Sequence, residues 1–137
     1  MSVSGLILTV SLSLFITELV ELALALLLGV RNMDGLLSVF LANLMTNPAV
    51  VLTYVAVRFY VGSVPAESLL LPLEIAAVIA EALLYLMRKK NLLLNELPIF
   101  NASGLSGIAQ KPFLMALVFS VILNAASYFS GVLVSMI

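Results

Sequence analysis

Long apolar stretches follow one another along the chain, broken by short segments that are polar or contain glycine or proline. Four of them reach the roughly 20 residues that a helix needs to cross a lipid bilayer. Their approximate bounds are residues 5–29, 35–57, 66–87 and 112–136. The pattern predicts an all-α integral membrane protein: a single domain of four transmembrane helices, arranged as two tandem helical hairpins.

Two local features add detail to this prediction. Pro48 lies inside the second stretch, where its missing N–H and its clash with the carbonyl of Leu44 predict a kink. The connection over residues 88–111 is long and unusually apolar. We expect it to form an interfacial helix on the lipid headgroups, and the alternative is a re-entrant or gating segment.

Composition narrows the class of protein. Apolar residues make up 64% of the chain and charged residues only 9%, against roughly 25% charged in soluble domains. This balance excludes a soluble globular domain and a disordered chain, and a net charge of −1 leaves no basic surface for nucleic acid. The chain has neither Cys nor His. Disulfides and zinc sites are therefore excluded, and we expect no cofactor.

Basic residues set the expected orientation, because cytoplasmic loops of membrane proteins are enriched in Lys and Arg. One side of the predicted topology carries only Arg58. The five basic residues of the other side are Arg31, Arg88, Lys89, Lys90 and Lys111. We therefore expect a prokaryotic inner-membrane protein with both termini outside and the basic loops in the cytoplasm. Tyr85 lies near the cytoplasmic end of the third predicted span.

Four of the seven acidic residues lie well inside the predicted spans: Glu18, Glu21, Glu74 and Glu81. An ionised side chain at the bilayer centre costs about 2.5–3.5 kcal/mol on insertion scales. We therefore expect the four carboxyl groups to face one another, or water, inside the bundle. Glu81 has no cation within its span, so we expect it to be protonated or to hold a cation.

The other two spans contribute amides and hydroxyls at a similar depth. Asn43, Thr46 and Asn47 lie near the middle of the second span, and Asn124 and Ser127 near the middle of the fourth. Helix packing alone does not require that all four spans place their most polar side chains at one depth. The coincidence predicts a shared mid-membrane site for an ion or a proton.

The two halves of the chain resemble each other. The segment Glu21–Leu24 matches Glu81–Leu84, and the pattern Asn-x-x-Thr/Ser occurs at Asn43–Thr46 and again at Asn124–Ser127. Since the first and third spans run in the same direction, a duplication would be parallel, with its axis along the membrane normal. Chance similarity in a leucine-rich sequence is the alternative.

Oxygen-only side chains suit hard cations such as Na⁺, Ca²⁺, Mg²⁺ and Mn²⁺, and intramembrane glutamates also carry protons. The leading hypothesis is therefore binding and translocation of a hard cation, protons or both. The four glutamates would be the metal ligands, and the amides and hydroxyls would orient and co-ligate.

The alternative is a structural or assembly subunit, or a carrier of an amphipathic ligand, in which the polar residues are interhelical hydrogen-bond glue. An enzyme is not expected, because the chain has no His and its only Asp, Asp34, lies in a loop.

Small and polar residues recur at helical spacing in the fourth span: Ser120, Asn124, Ser127, Gly131 and Ser135. Such faces let transmembrane helices approach closely. We therefore expect a homo-oligomer within the lipid bilayer, most simply a two-fold dimer.

Overall fold

The computed structural model describes residues 3–88, 92–101 and 106–135, and over these residues the protein is all-α without strands. Each of the four predicted apolar stretches is a long helix. Their bounds lie within about three residues of the predicted ones: α1 is Val3–Leu28, α2 is Met33–Tyr60, α3 is Ser63–Met87 and α4 is Pro112–Ser135. The predicted last residue of the fourth span, Met136, lies outside the described residues.

Local sequence explains where the helices begin and end. Gly29 takes the left-handed φ of 107° that ends α1, and the N–H of Val30 then donates to Ala25 O at 3.0 Å. Asn32 caps α2, because its side-chain oxygen accepts from Gly35 N at 3.0 Å. Gly62, with φ 123°, allows the tight turn between α2 and α3.

Two helices, α2 and α3, are long and apolar enough to cross a membrane. They have 28 and 25 residues, with mean hydropathies of 1.6 and 2.1. Both continue as α-helices through internal prolines, Pro48 and Pro72. The kink at Pro48 stays a prediction.

Each long helix packs mainly against its neighbours in chain order, and α4 closes the ring on α1. The α1–α2 turn and the α3–α4 connection consequently lie at one end of the bundle, which we call the loop end. The α2–α3 turn lies at the other end, which we call the turn end. α1 and α3 occupy opposite corners of the ring.

The α3–α4 connection differs from the single interfacial helix expected over 88–111. Its described residues form a 3₁₀ turn, Leu94–Glu96, and two one-turn helices, Pro98–Asn101 and Ser106–Ala109. Leu93 has a left-handed backbone and Pro98 has no N–H to continue a helix, so the segment cannot stay regular. Its apolar side chains pack onto the bundle instead. The buried ones are Leu92, Leu94, Leu97 and Phe100. Lys89 and Lys90 lie outside the described residues.

Candidate functional site

Glu81 lies at the centre of a hydrogen-bond network in the middle of the bundle. Its side chain is 1% exposed. Thr46 Oγ1 on α2 donates to Glu81 Oε1 at 2.7 Å, and Ser120 Oγ on α4 donates to Oε2 at 3.0 Å. Asn124 Nδ2, one turn further along α4, also donates to Oε2. Three donors from two helices therefore hold one carboxyl group that projects from a third.

Glu21, on α1, is the centre of a second and sparser network. It is fully buried, and its Oε1 accepts a hydrogen bond of 2.7 Å from Ser127 Oγ. The matched segments of the two sequence halves are thus hydrogen-bonded to each other in both directions. A hydroxyl of the first half, Thr46, donates to the glutamate of the second half, and Ser127 donates back to Glu21 at the same distance.

The hydroxyl groups that contact the two glutamates also lie close to main-chain carbonyls. Thr46 Oγ1 is 3.1 Å from Ala42 O, and Ser127 Oγ is 3.1 Å from Leu123 O. Ser120 Oγ is 3.0 Å from Val78 O. A hydroxyl has one proton to donate and can also accept. Each hydroxyl can therefore donate a hydrogen bond to the carboxylate or, after turning its proton to the carbonyl, accept a hydrogen bond from the carboxylic acid.

Glu18 and Asn43 face each other between α1 and α2, each one helical turn from a residue of the two networks, Glu21 and Thr46. Both are buried, and the amide of Asn43 is the polar neighbour of the Glu18 carboxyl. Their atoms do not meet hydrogen-bond geometry, so both Glu18 oxygens and Asn43 Nδ2 lack a hydrogen-bond partner among the described residues. Tyr85, two residues before the end of α3 as predicted, is fully buried, with its ring edge-on to Phe119 at 5.3 Å between centroids.

A cavity of about 330 Å³ extends from Glu81 toward the turn end. Asn47 and half-buried Glu74 line it, and Glu74 is two helical turns from Glu81 on α3. Tyr54 lines it nearer the α2–α3 turn, where its hydroxyl accepts a 3.0 Å hydrogen bond from Arg58. The described lining residues include two acidic side chains and no basic one.

The structure therefore brings the predicted site residues together to different degrees. Nine were predicted from the sequence. Glu81, Thr46, Asn124, Glu21 and Ser127 are hydrogen-bonded, Glu18 and Asn43 are paired by position, and Glu74 and Asn47 line the cavity.

Two residues of the centre were not predicted as site residues. Ser120 belongs to the small-residue stripe of α4, and its position one turn before Asn124 was the available signal. Tyr85 lies one turn after Glu81, a spacing that would have placed both on one face.

The described residues contain no group of three or more acidic, His or Cys side chains that could hold a metal ion. The two carboxyl groups with partners, Glu81 and Glu21, accept hydrogen bonds from hydroxyl and amide groups. Metal ligation by Glu18, Glu21, Glu74 and Glu81 stays a prediction.

No family model matches this chain, and no characterised protein or solved structure shows significant similarity to it.

Proposed function

We propose that this chain is a four-span membrane protein that binds and translocates protons, or a hard cation, through the Glu81 centre. Helices α1 and α4, of 26 and 24 residues, are at least about 36 Å long at 1.5 Å per residue, enough for a hydrocarbon core of roughly 30 Å. Large apolar side chains cover the outer surface, among them Leu19, Leu27, Met45 and Leu71. Both termini lie outside.

The reciprocal hydrogen bonds support a parallel internal duplication. If the two halves correspond as the sequence repeat suggests, the Thr46–Glu81 bond is the counterpart of the Ser127–Glu21 bond. Exchange of α1 with α3 and of α2 with α4 preserves the order of helices around the ring. The axis would run along the bundle, so both halves present their glutamates at one depth.

The observation that carries the proposal is that the hydroxyls of Thr46 and Ser120 each lie within hydrogen-bond distance of the Glu81 carboxyl group and of a main-chain carbonyl. A group that carries protons must be accommodated in both its charged and its neutral form. As a carboxylate, Glu81 accepts from three donors, while as an acid it can donate to a hydroxyl that has turned to its carbonyl. A glutamate that only holds helices together by hydrogen bonds needs to be accommodated in only one of these protonation states.

Reconstituted protein tests the proposal. Proton entry into liposomes should follow a pH gradient, and a panel of Na⁺, K⁺, Ca²⁺, Mg²⁺ and Mn²⁺ with and without that gradient separates proton from cation movement. Glu81→Gln keeps the shape of the side chain but removes its titration, so flux should fall at least about tenfold, an increase of about 1.4 kcal/mol in the barrier. Glu67→Gln, exposed on the same helix, is the matched control. Wild-type flux in folded Glu81→Gln, or silence across the panel, would favour a structural or assembly subunit.

A second candidate function is the transport of an amphipathic ligand, and a surface groove favours it. The groove, of about 680 Å³, runs between α3 and α4 and is lined by apolar side chains such as Leu71, Ile75 and Val121. Glu74, Asn124 and Tyr128 line both the groove and the cavity. A lipophilic cation could place its apolar part in the groove and its charge at Glu74.

Equilibrium binding of tetraphenylphosphonium to the purified protein tests this second function. Glu74→Gln should weaken saturable binding, and Glu67→Gln should not. Absence of saturable binding would eliminate this candidate without affecting the proton proposal.

A homo-oligomer, most simply a dimer, remains part of the proposal. The stripe on α4 that suggested it ends at Gly131 and Ser135, whose side chains lie outside the described part of the structure. Protein mass measured in lipid nanodiscs or detergent tests it, and a monomer over a wide concentration range would contradict it.

A further inference from the structure

A cluster of buried polar atoms next to the Glu81 centre lacks partners. Among the described residues, both oxygens of Glu18, Oε2 of Glu21, Nδ2 of Asn43 and the hydroxyl of Tyr85 have no hydrogen bond. All four side chains are more than nine-tenths buried. A buried polar group without a partner costs free energy, and native proteins rarely leave one.

These atoms belong to one place in the bundle rather than to separate defects. Asn43 faces Glu18 from α2, and Glu21 lies one turn from Glu18 on α1. The hydroxyl of Tyr85, on α3, is within electrostatic range of both glutamates. The cluster is thus bounded by α1, α2 and α3 next to Glu81.

The chemistry of the unpartnered atoms identifies the ligand. The carboxyl oxygens are acceptors, the Asn43 amide nitrogen is a donor, and the Tyr85 hydroxyl is both. A metal cation would satisfy the oxygens but would be repelled by the amide hydrogens. Water can accept from Asn43 and donate to Glu18 at once, and buried waters typically make two to four such bonds.

We propose that Glu18, Glu21, Asn43 and Tyr85 form an internal water-binding site. Its contribution to proton movement rests on the proposed function, but the site itself does not. Asn43 also lines the cavity, so water can enter from the turn end. Ordered water here would connect Glu81 with Tyr85, which lies one turn nearer the loop end on α3.

The sign of a stability change tests the site. If the Tyr85 hydroxyl binds water, Tyr85→Phe removes a hydrogen bond and should lower the unfolding midpoint. If the hydroxyl is buried without any partner, the same change removes a desolvated group and should raise the midpoint. Tyr60→Phe, on a side chain that is 83% exposed, is the control and should leave the midpoint unchanged. A rise, or no change, for Tyr85→Phe would overturn the proposal.

A second measurement shows the ligand directly and separates it from transport. A high-resolution crystal structure should show water within hydrogen-bond distance of Asn43 Nδ2 and a Glu18 oxygen. Short contacts from several oxygens to a metal ion, or a dry cluster, would overturn the site. Proton flux in Tyr85→Phe should fall. A lowered midpoint with unchanged flux would overturn the relay role alone. Wild-type flux in folded Glu81→Gln would overturn the proposed function and leave the water site unaffected.

Discussion

The two ends of the bundle differ more than its two halves do. At the turn end, only two residues separate α2 from α3, and a cavity reaches inward to Glu81. At the loop end, the longer α3–α4 connection buries Leu97 and Phe100 in the same apolar core as Phe119 and covers the interior. The connections, rather than the helices, therefore give this bundle a direction. A polar centre that is accessible from one end becomes a pathway only if the loop end also opens.

The largest expected effect concerns membrane topology: a cysteine at one end of the bundle should be labelled from outside the cell, and a cysteine at the other end should not. Because the chain has no Cys, single cysteines at Glu67 and Arg88, both exposed, report the two ends without background. An impermeant thiol reagent added outside intact cells should label Glu67→Cys and spare Arg88→Cys until the cells are lysed. The reverse pattern would place the cavity on the cytoplasmic side.

Packing at the two ends should differ in its contribution to stability. Phe100 is fully buried, so Phe100→Ala should reduce the free energy of unfolding by about 3–5 kcal/mol. Leu71, 69% exposed near the turn end, should tolerate Ala within about 0.5 kcal/mol. Denaturant unfolding in detergent measures both. Equal costs would show that the α3–α4 connection does not seal the bundle. Faster proton leak through Phe100→Ala would show that the packing of the α3–α4 connection limits proton passage at the loop end.

The helices could be predicted from sequence, because an apolar run of more than 20 residues leaves few alternatives. The inward position of Glu21 and Glu81 was also predictable, since ionisable groups are too costly in lipid. The connection over 88–111 was not: its leucines are equally compatible with lipid headgroups and with a protein core. Composition cannot tell which surface an apolar side chain will contact.

The pairing of donors with glutamates was likewise beyond sequence reasoning. Spacing placed Asn124 and Ser127 on one face of α4, yet Asn124 contacts Glu81 and Ser127 contacts Glu21. The division follows from the position of α4 between α1 and α3 in the ring. The burial of Tyr85 was missed for a related reason, because an aromatic residue near a helix end fits an interface as well as a core.

Access from the turn end should order the reactivity of the glutamates. A water-soluble carbodiimide reaches carboxyl groups through water, so it should modify Glu74, which is half-buried in the cavity, before Glu21, which is fully buried. Peptide mass spectrometry after timed exposure gives the order. Glu74→Gln is the control for assignment of the first modified site. Equal rates, or earlier modification of Glu21, would mean that the loop end admits water as readily as the turn end.

The smallest expected effect compares the two hydroxyl-to-glutamate bonds. Interhelical hydrogen bonds in membrane proteins contribute about 0.6 kcal/mol on average and up to about 1.7 kcal/mol. Thr46→Val leaves Glu81 with Ser120 and Asn124 as donors, so the cost should lie near the average. Ser127→Ala removes the one hydrogen bond described for Glu21, whose second oxygen already lacks a partner, so the cost should lie near the upper value. Denaturant unfolding of both variants, each repeated in the matching Glu→Gln background, isolates the pair energies as a double-mutant cycle. Equal pair energies would mean that the Glu81 and Glu21 networks are energetically equivalent. The structural difference between the two ends of the bundle would then have no effect on the hydrogen bonds in its middle.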